Sequence, residues 1–428
     1  MSAAPVLRPD TAAPLEPAER ARGRRLAIAS NVPWMTFWTA FAEQLPTLAL
    51  VSLGASETLI GVQSGMRLGL ASIQLPALRL ISWFPKRRIL IAGNLLALAA
   101  SLPLVFFGPL AALEQHTALA IVFASLALTA LGLDLGDLVW FPLLRGYVEP
   151  DRIGRFFGAV RTSWHAAVIV FLVGGQLWLA RHENGFGLLF GIAWALGLAR
   201  LALVWRLPER SELGGERLRA RDALALVRDD SRLRRYTIGI CWHYAVRAAA
   251  LPFALVMLRR ALGFSNSDAI ETTIAIYVGG IVSLYFWGAI IDRLGPYVGF
   301  RSAALGMGAL YLGLAFLEPL GAATALFAIG FFFAHSLLAA GFAVADTRLL
   351  FELAPAEAPS KVLVVTAVIE GVVCGVAPAI AGAVLDPLLA RAPQPLPVYH
   401  GFFALAALLM SVSFLPMRPF RSARKAGG

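Results

Sequence analysis

Charge is scarce in this chain. Asp, Glu, Lys and Arg make up 15% of its 428 residues, where a soluble globular chain carries about 25%. Hydrophobic residues reach 58%, and a soluble fold of this length has no way to cover so much apolar surface with so few charges. Cysteine is scarcer still. Cys241 and Cys374 both sit in apolar runs, which excludes a disulfide scaffold, a zinc cluster and a closely spaced redox pair. The six histidines are scattered without ligand spacing, and His-Glu-x-x-His is absent, so no metal site is expected. There is no Walker glycine loop and no dinucleotide fingerprint after a strand, which argues against ATP-driven work by this chain and against a nucleotide cofactor. Ser64 and Ser336 have no triad context, so no enzyme is expected and no cofactor is assigned. The net charge is +11, yet no basic face with interleaved aromatics appears, which removes nucleic acid as a partner.

What the sequence has instead is long apolar runs. A bilayer span needs roughly 20 mostly apolar residues, and twelve windows qualify: 27–52, 58–80, 88–109, 118–141, 159–180, 186–205, 236–258, 270–290, 299–318, 321–346, 362–388 and 399–417. The expected fold is an all-α polytopic membrane protein whose partner is the lipid bilayer. Lys and Arg fix its orientation. With both termini on one side, thirty of them fall on that side, four on the other, and Arg67, Arg200 and Arg247 stay within spans. Basic residues favour the cytoplasmic side, so both termini are expected there, in an inner membrane. Trp83, Trp140, Trp205 and Trp287 fall near the same interface, where an amphipathic ring fits.

The chain also repeats itself. The longest internal polar stretch leaves six spans on each side, and the halves echo each other at an offset of 205–209 residues. Leu53-Gly54-Ala55-Ser56 returns as Leu262-Gly263-Phe264-Ser265, Pro46 as Pro252, and Asp137 near the end of span 4 as Asp346 near the end of span 10. Duplicated six-helix units are a recognised transporter design. The expected division is a tail at 1–26, a six-helix bundle at 27–207, a cytoplasmic loop at 208–235, a second bundle at 236–417 and a tail at 418–428. Residues 217–228 are expected to form a short amphipathic surface helix.

Three features resemble the major facilitator superfamily: the six-plus-six arrangement, the segment Gly288-Ala-Ile-Ile-Asp292-Arg293-Leu-Gly295 after span 8, and Pro150-Asp-Arg152-Ile-Gly154-Arg155-Phe-Phe-Gly158-Ala-Val-Arg161 at the start of span 5. The resemblance implies two pseudo-symmetric six-helix bundles, alternating access, and a substrate cavity lined mostly by spans 1, 4, 7 and 10. It names no substrate. The loop between spans 2 and 3, Trp83-Phe-Pro85-Lys86-Arg87-Arg88, departs from the pattern by lacking its Asp-Arg-x-Gly core. Read physically, Gly288 permits close helix approach, Asp292 caps a helix or pairs with an arginine of the other bundle, Arg293 holds a cytoplasmic position and Gly295 allows a tight reversal. Gating candidates are therefore Asp137, Arg152, Arg155, Arg161, Gly288, Asp292, Arg293, Gly295 and Asp346.

Ionisable groups inside apolar spans are the cavity candidates, because each is costly unless paired or wet. They are Glu43, Arg67, Asp134, His165, His243, Arg247 and Glu370. Glu43 precedes a helix-bending Pro46 and is a possible mate for Arg67, whose flanking Gly61, Gly65 and Gly69 offer a smooth face to another helix. His165 and Glu370 stand one repeat offset apart and are expected to face each other. Trp242, His243 and Tyr244 are expected to share a wall with Arg247. Arg200 is expected to snorkel to the interface; His335 and Asn31 are weaker candidates. Arginines suit an anionic or zwitterionic solute, aromatics a hydrophobic cation. The working reading is a monomeric transporter of a small solute with a proton as coupling ion; the alternative is a sensor or assembly factor on the same fold. Reporter fusions after Arg25 and Arg421 test the topology: both should report the cytoplasm, and a periplasmic signal from either one overturns it.

Overall fold

In hydrocarbon a chain has to satisfy its own backbone, so each apolar run becomes a helix. The computed structural model describes residues 15–70, 80, 83–148, 153–209, 225, 227–283, 286–353 and 359–425. The side chains of Arg67, Phe141, Arg145, 153–155, 157–158, 359–361, 363–364 and 421–425 lie outside that description. Every expected window holds a described helix. Span 1 is a pair, Pro17–Ala42 and Gln44–Ser52; span 2 is Glu57–Leu70; span 3 is Lys86–Val105, extended by Phe107–Ala111. Spans 4, 5 and 6 are Gln115–Arg145, Ile153–Leu179 and Phe186–Val204. Span 7 is Ser231–Arg260, and span 8 is Asn266–Ser283 with Trp287–Leu294, bent by 50°. Spans 9 to 12 are Pro296–Leu314, Ala322–Leu353, Pro359–Arg391 and Leu396–Val412. Among the described residues eight helices are individually long and apolar enough to cross a membrane, and the bent pair makes a ninth. Apolar side chains turned outward, such as Val170, Phe316, Leu326 and Leu408, give these helices a surface that only lipid suits.

Local chemistry sets where the helices begin and end. Glu114 caps span 4 by accepting from the His116 and Thr117 amides at 3.2 and 3.0 Å, and those bonds hold its carboxyl below the usual range. Gly54 and Gly263, the glycines of the echoed tetrapeptides, take φ of 74° and 72° after spans 1 and 7, a backbone region that favours glycine. The sequence echo is thus also an echo of geometry. Two boundaries differ from expectation. Span 1 begins ten residues earlier, at Pro17, because Glu16 and Glu19 form a capping box there. Span 10 continues to Leu353, so the polar residues from Asp346 onward extend the helix rather than open a loop. Residues 217–224 of the expected surface helix lie outside the described residues.

The packing repeats with the duplication. In the first half span 1 packs on spans 5 and 6, span 2 on span 4, and span 3 on spans 4 and 6. In the second half span 7 packs on spans 11 and 12, span 8 on span 10, and span 9 on spans 10 and 12. Adding six to each number of the first set gives the second. The two seams between halves, span 2 on span 11 and span 5 on span 8, exchange under the same operation. This is the layout of two parallel repeats.

Burial is uneven along the membrane normal. One core crosses both halves and contains Leu48, Leu50, Ile60, Phe253, Leu258 and Ala381. On the face that carries the termini there are two smaller cores, one within each half: Ala27, Leu90, Leu143 and Tyr147 in the first, Tyr236, Ile291, Phe300 and Phe342 in the second. The halves therefore join toward the opposite face. Backbone meets backbone at that junction. A Cβ on Gly61 would lie 2.7 Å from the Pro378 carbonyl carbon, and one on Gly65 would lie 2.8 Å from that of Gly375. The contact runs from Glu57 against Gly382 to Gly69 against Gly375, about 18 Å of helix at 1.5 Å per residue. The smooth face read from Gly61, Gly65 and Gly69 is this seam. Gly65→Leu should destabilise the protein by about 1–3 kcal/mol, as overpacking does. The measurement is thermal melting in detergent, and an unchanged melting curve would contradict the seam's tightness.

Candidate functional site

The charges inside the spans gather into three clusters. The first sits where the joined and separate cores meet. Span 1 breaks at Glu43, whose φ and ψ of −115° and −127° are not helical, so the break falls at Glu43 rather than at Pro46. Tyr277 of span 8 donates to the half-buried Glu43 carboxylate, and its hydroxyl also lies 2.7 Å from Thr39 Oγ1. Gln44 accepts from Thr273 at 3.4 Å. These bonds tie the first half to the second. His165 belongs here too. Its Nδ1 donates to the Arg161 carbonyl at 2.8 Å, its ring stacks on Trp164, and Tyr277 meets it edge-on at 6.0 Å. Gly280 leaves room for its Nε2, which an added Cβ would approach to 3.5 Å.

The second cluster lies in the second half. Asp346 accepts from the Tyr236 hydroxyl and from the Tyr244 hydroxyl at 3.3 Å. Glu370 of span 11 lies within electrostatic reach of Asp346 and of Arg247 on span 7, and Arg247 sits 6.0 Å from the Tyr244 ring. Cys241 and Cys374 border the same group. All three charged residues are half-buried. Two carboxyls beside one guanidinium form a site that can take up a proton or a cationic group, while the guanidinium can meet an anion.

Several expectations need correction. His165 and Glu370 do not face each other: one joins span 8 and the other joins spans 7 and 10, because the repeat offset relates equivalent places rather than neighbours. His243 and Tyr244 keep to one wall, but Trp242 does not. The His243 and Tyr244 rings meet edge-on at 6.1 Å, both pack on Phe342 of span 10, and Tyr244 reaches Asp346 one turn further along that helix. Trp242 points outward and donates to the Leu409 carbonyl at 3.0 Å. Asp346 is a helical member of the charge cluster and not a loop residue. Asp134 is buried at 3% exposure, and His335 is packed against Tyr311.

Arg200 does not snorkel. It is 1% exposed, sandwiched between Trp34 and Trp140 at 4.4 and 4.6 Å, and donates to the Ser30 carbonyl at 3.3 Å. Asp137 supplies the nearby negative charge, so this third cluster holds spans 1, 4 and 6 together. Trp140 and Trp287 are accordingly buried, whereas Trp83 and Trp205 are exposed as an interfacial position requires.

The loop after span 8 also differs in part. Gly295 takes φ of 84° between Trp287–Leu294 and Pro296–Leu314, so the tight reversal is present. Gly288 is exposed, and among the described residues none approaches the place of its Cβ. Asp292 pairs at 3.2 Å with Arg348 of span 10, which belongs to its own half, and Arg293 is exposed. Arg161 is exposed. Arg152 and the side chains of Arg67 and Arg155 lie outside the described residues.

Sequence reasoning missed the hydroxyls of Tyr236 and Tyr277. Both read as ordinary packing aromatics, and only their partners across the fold give them a role. It also missed Glu57, Arg260, Asp386 and Tyr399, which meet between the halves at the opposite face. Arg260 had served only as one of the few basic residues on that side.

The family described as Major Facilitator Superfamily matches residues 26–378. No curated protein matches the chain in sequence. Among solved structures, the nucleoside transporter NupG in a mutant form superposes with a TM-score of 0.72 at 13% identity, covering 93% of this chain and 99% of that one. A bacterial homologue of the iron transporter ferroportin in an inward-facing state gives 0.70 at 16% identity, covering 92% and 98%. A POT family transporter in complex with a thioalcohol-conjugated peptide gives 0.65 at 16%, covering 93% and 97%. Identities this low speak for the fold alone. The sequence match spans most of the chain, and with it the paired bundles read from the helices acquire a name: this is a member of the Major Facilitator Superfamily.

Proposed function

We propose that this secondary transporter carries a small solute across a bacterial inner membrane, with both termini cytoplasmic, and that it couples this movement to protons. It acts as a monomer and leaves the solute chemically unchanged. The observation that carries the reading is the group Glu370, Asp346 and Arg247, set half-buried on three helices below the junction of the two halves. A seal on one face with charged groups beneath it is what alternating access requires of one of its two end states. The positive-inside count supports the orientation, so the sealed face is the outer one.

Charge balance supports proton coupling. Tyr236 and Tyr244 already donate to Asp346, so Arg247 is the cation Glu370 must share with it. A proton on Glu370 frees Arg247 for a solute anion, and its release returns the carboxylate to the guanidinium. Glu43 is the second choice, because its bond to Tyr277 spans the halves and has to change when they move. The solute's identity comes from a broad uptake and efflux screen with purified protein in vesicles. With a solute in hand, transport should follow an imposed proton gradient. Glu370→Gln should abolish that dependence while solute exchange persists and the protein remains in the membrane. Undiminished gradient-driven accumulation by the variant would remove Glu370 from the coupling role.

A further inference from the structure

The face opposite the termini holds a second set of charges, remote from the cavity cluster. Glu57 opens span 2 and is 5% exposed. Its carboxylate pairs with Arg260 at the end of span 7, and Tyr399 of span 12 donates to it at 2.9 Å. Arg260 also donates to the Ala55 carbonyl, so it grips the turn as well as the acid. Asp386 of span 11 completes the group. It accepts from the Glu57 and Thr58 amides at 2.8 and 3.0 Å and from the Thr58 hydroxyl. Those are the first amides of span 2, which have no partner within their own helix. An N-terminal cap usually comes from the residue just before the helix. Here Ser56 takes the Leu59 amide in that way at 3.3 Å, and the other half of the protein takes the two amides before it.

Each bond made by Arg260, Tyr399 and Asp386 crosses the boundary between the halves, and together they stand at the outer end of the glycine seam. We propose that Glu57, Arg260, Tyr399 and Asp386 form a latch that holds the opposite face shut and whose release opens it. This rests on the alternating-access reading above and adds the residues that control one of its two gates. The seam is close contact between backbones. The latch has charge-assisted bonds, roughly twice as strong as neutral ones. Separating spans 2 and 11 hands the span 2 amides and the Glu57 carboxylate to water. Removing Arg260 alone leaves a buried carboxylate without its cation, which strongly disfavours the closed arrangement.

The test reads both faces of the full chain in vesicles with impermeant maleimide. Cys374 is replaced by Ala. Native Cys241, half-buried beside Asp346 and Glu370, reports the terminal face. In a separate protein with Cys241 also replaced, Ala381→Cys reports the closed face, where Ala381 is 8% exposed. Arg260→Gln, Glu57→Gln and Asp386→Asn should each raise labelling at position 381 about tenfold or more, the order expected for loss of a hydrogen bond to a charged group, and lower labelling at Cys241. Arg260→Lys keeps the ion pair and should stay near the parent, which separates loss of the latch from loss of fold. If Cys241 reacts but no variant changes either rate, the latch is wrong and alternating access stands. If both positions stay closed from both sides in parent and variants, the transport reading beneath the latch fails first.

Discussion

Hydrocarbon offers no hydrogen bond, and every other feature of this chain answers to that. Backbone groups are satisfied within helices, so the architecture is helical throughout the described residues. A charged side chain that remains in the slab has to find a partner inside the protein. Glu43 finds Tyr277, Asp346 finds two tyrosines, and Arg200 finds two tryptophan faces and a carbonyl. None of these arrangements resembles a surface salt bridge. Aromatic groups stand against the charge in each case, and for Glu43 and Asp346 their hydroxyls also make the polar contact, which suits a medium that rewards neither charge nor empty space.

The same scarcity of polar contact explains how the halves are joined. Lipid tails are as apolar as leucine, so apolar surface alone does not drive two bundles together. Close packing does, and glycine allows the closest packing. The spans 2 and 11 seam uses it over Gly61, Gly65, Gly69 and Gly375. At the outer end of that seam Asp386 bonds the Glu57 and Thr58 amides, where water can take those bonds over when they break. Toward the termini the halves keep separate cores. A protein that has to part and rejoin needs this division between a surface that seals and bonds that can be exchanged.

Composition and span length were enough to read the fold from the sequence, because bilayer thickness leaves little choice in helix length. The duplication was legible too, and Gly54 and Gly263 show why: a positive φ demands glycine at both copies, so the echo survives where other residues have diverged. The candidate site was legible only as a set of residue types. Glu370, Arg247 and Asp346 stood out as costly, but nothing local says that they meet. Pairing His165 with Glu370 failed because a repeat offset conserves place within a half and carries no information about contact between halves. Reading Arg200 as a snorkelling residue failed because two tryptophans distant in sequence, Trp34 and Trp140, close around it. Tyr236 and Tyr277 were invisible because a tyrosine in a span is packing by default until a carboxylate is found at its hydroxyl.

The glycine seam also bears on how such a protein can diverge. At Gly61, Gly65 and Gly375 an added Cβ would meet backbone at under 3 Å, so these positions present selection with almost nothing to adjust. The depth of contact between the halves is therefore nearly frozen. What remains free to vary is the side chains at the rim, where a changed length or charge alters how long the closed form lasts without reshaping the helices that form it.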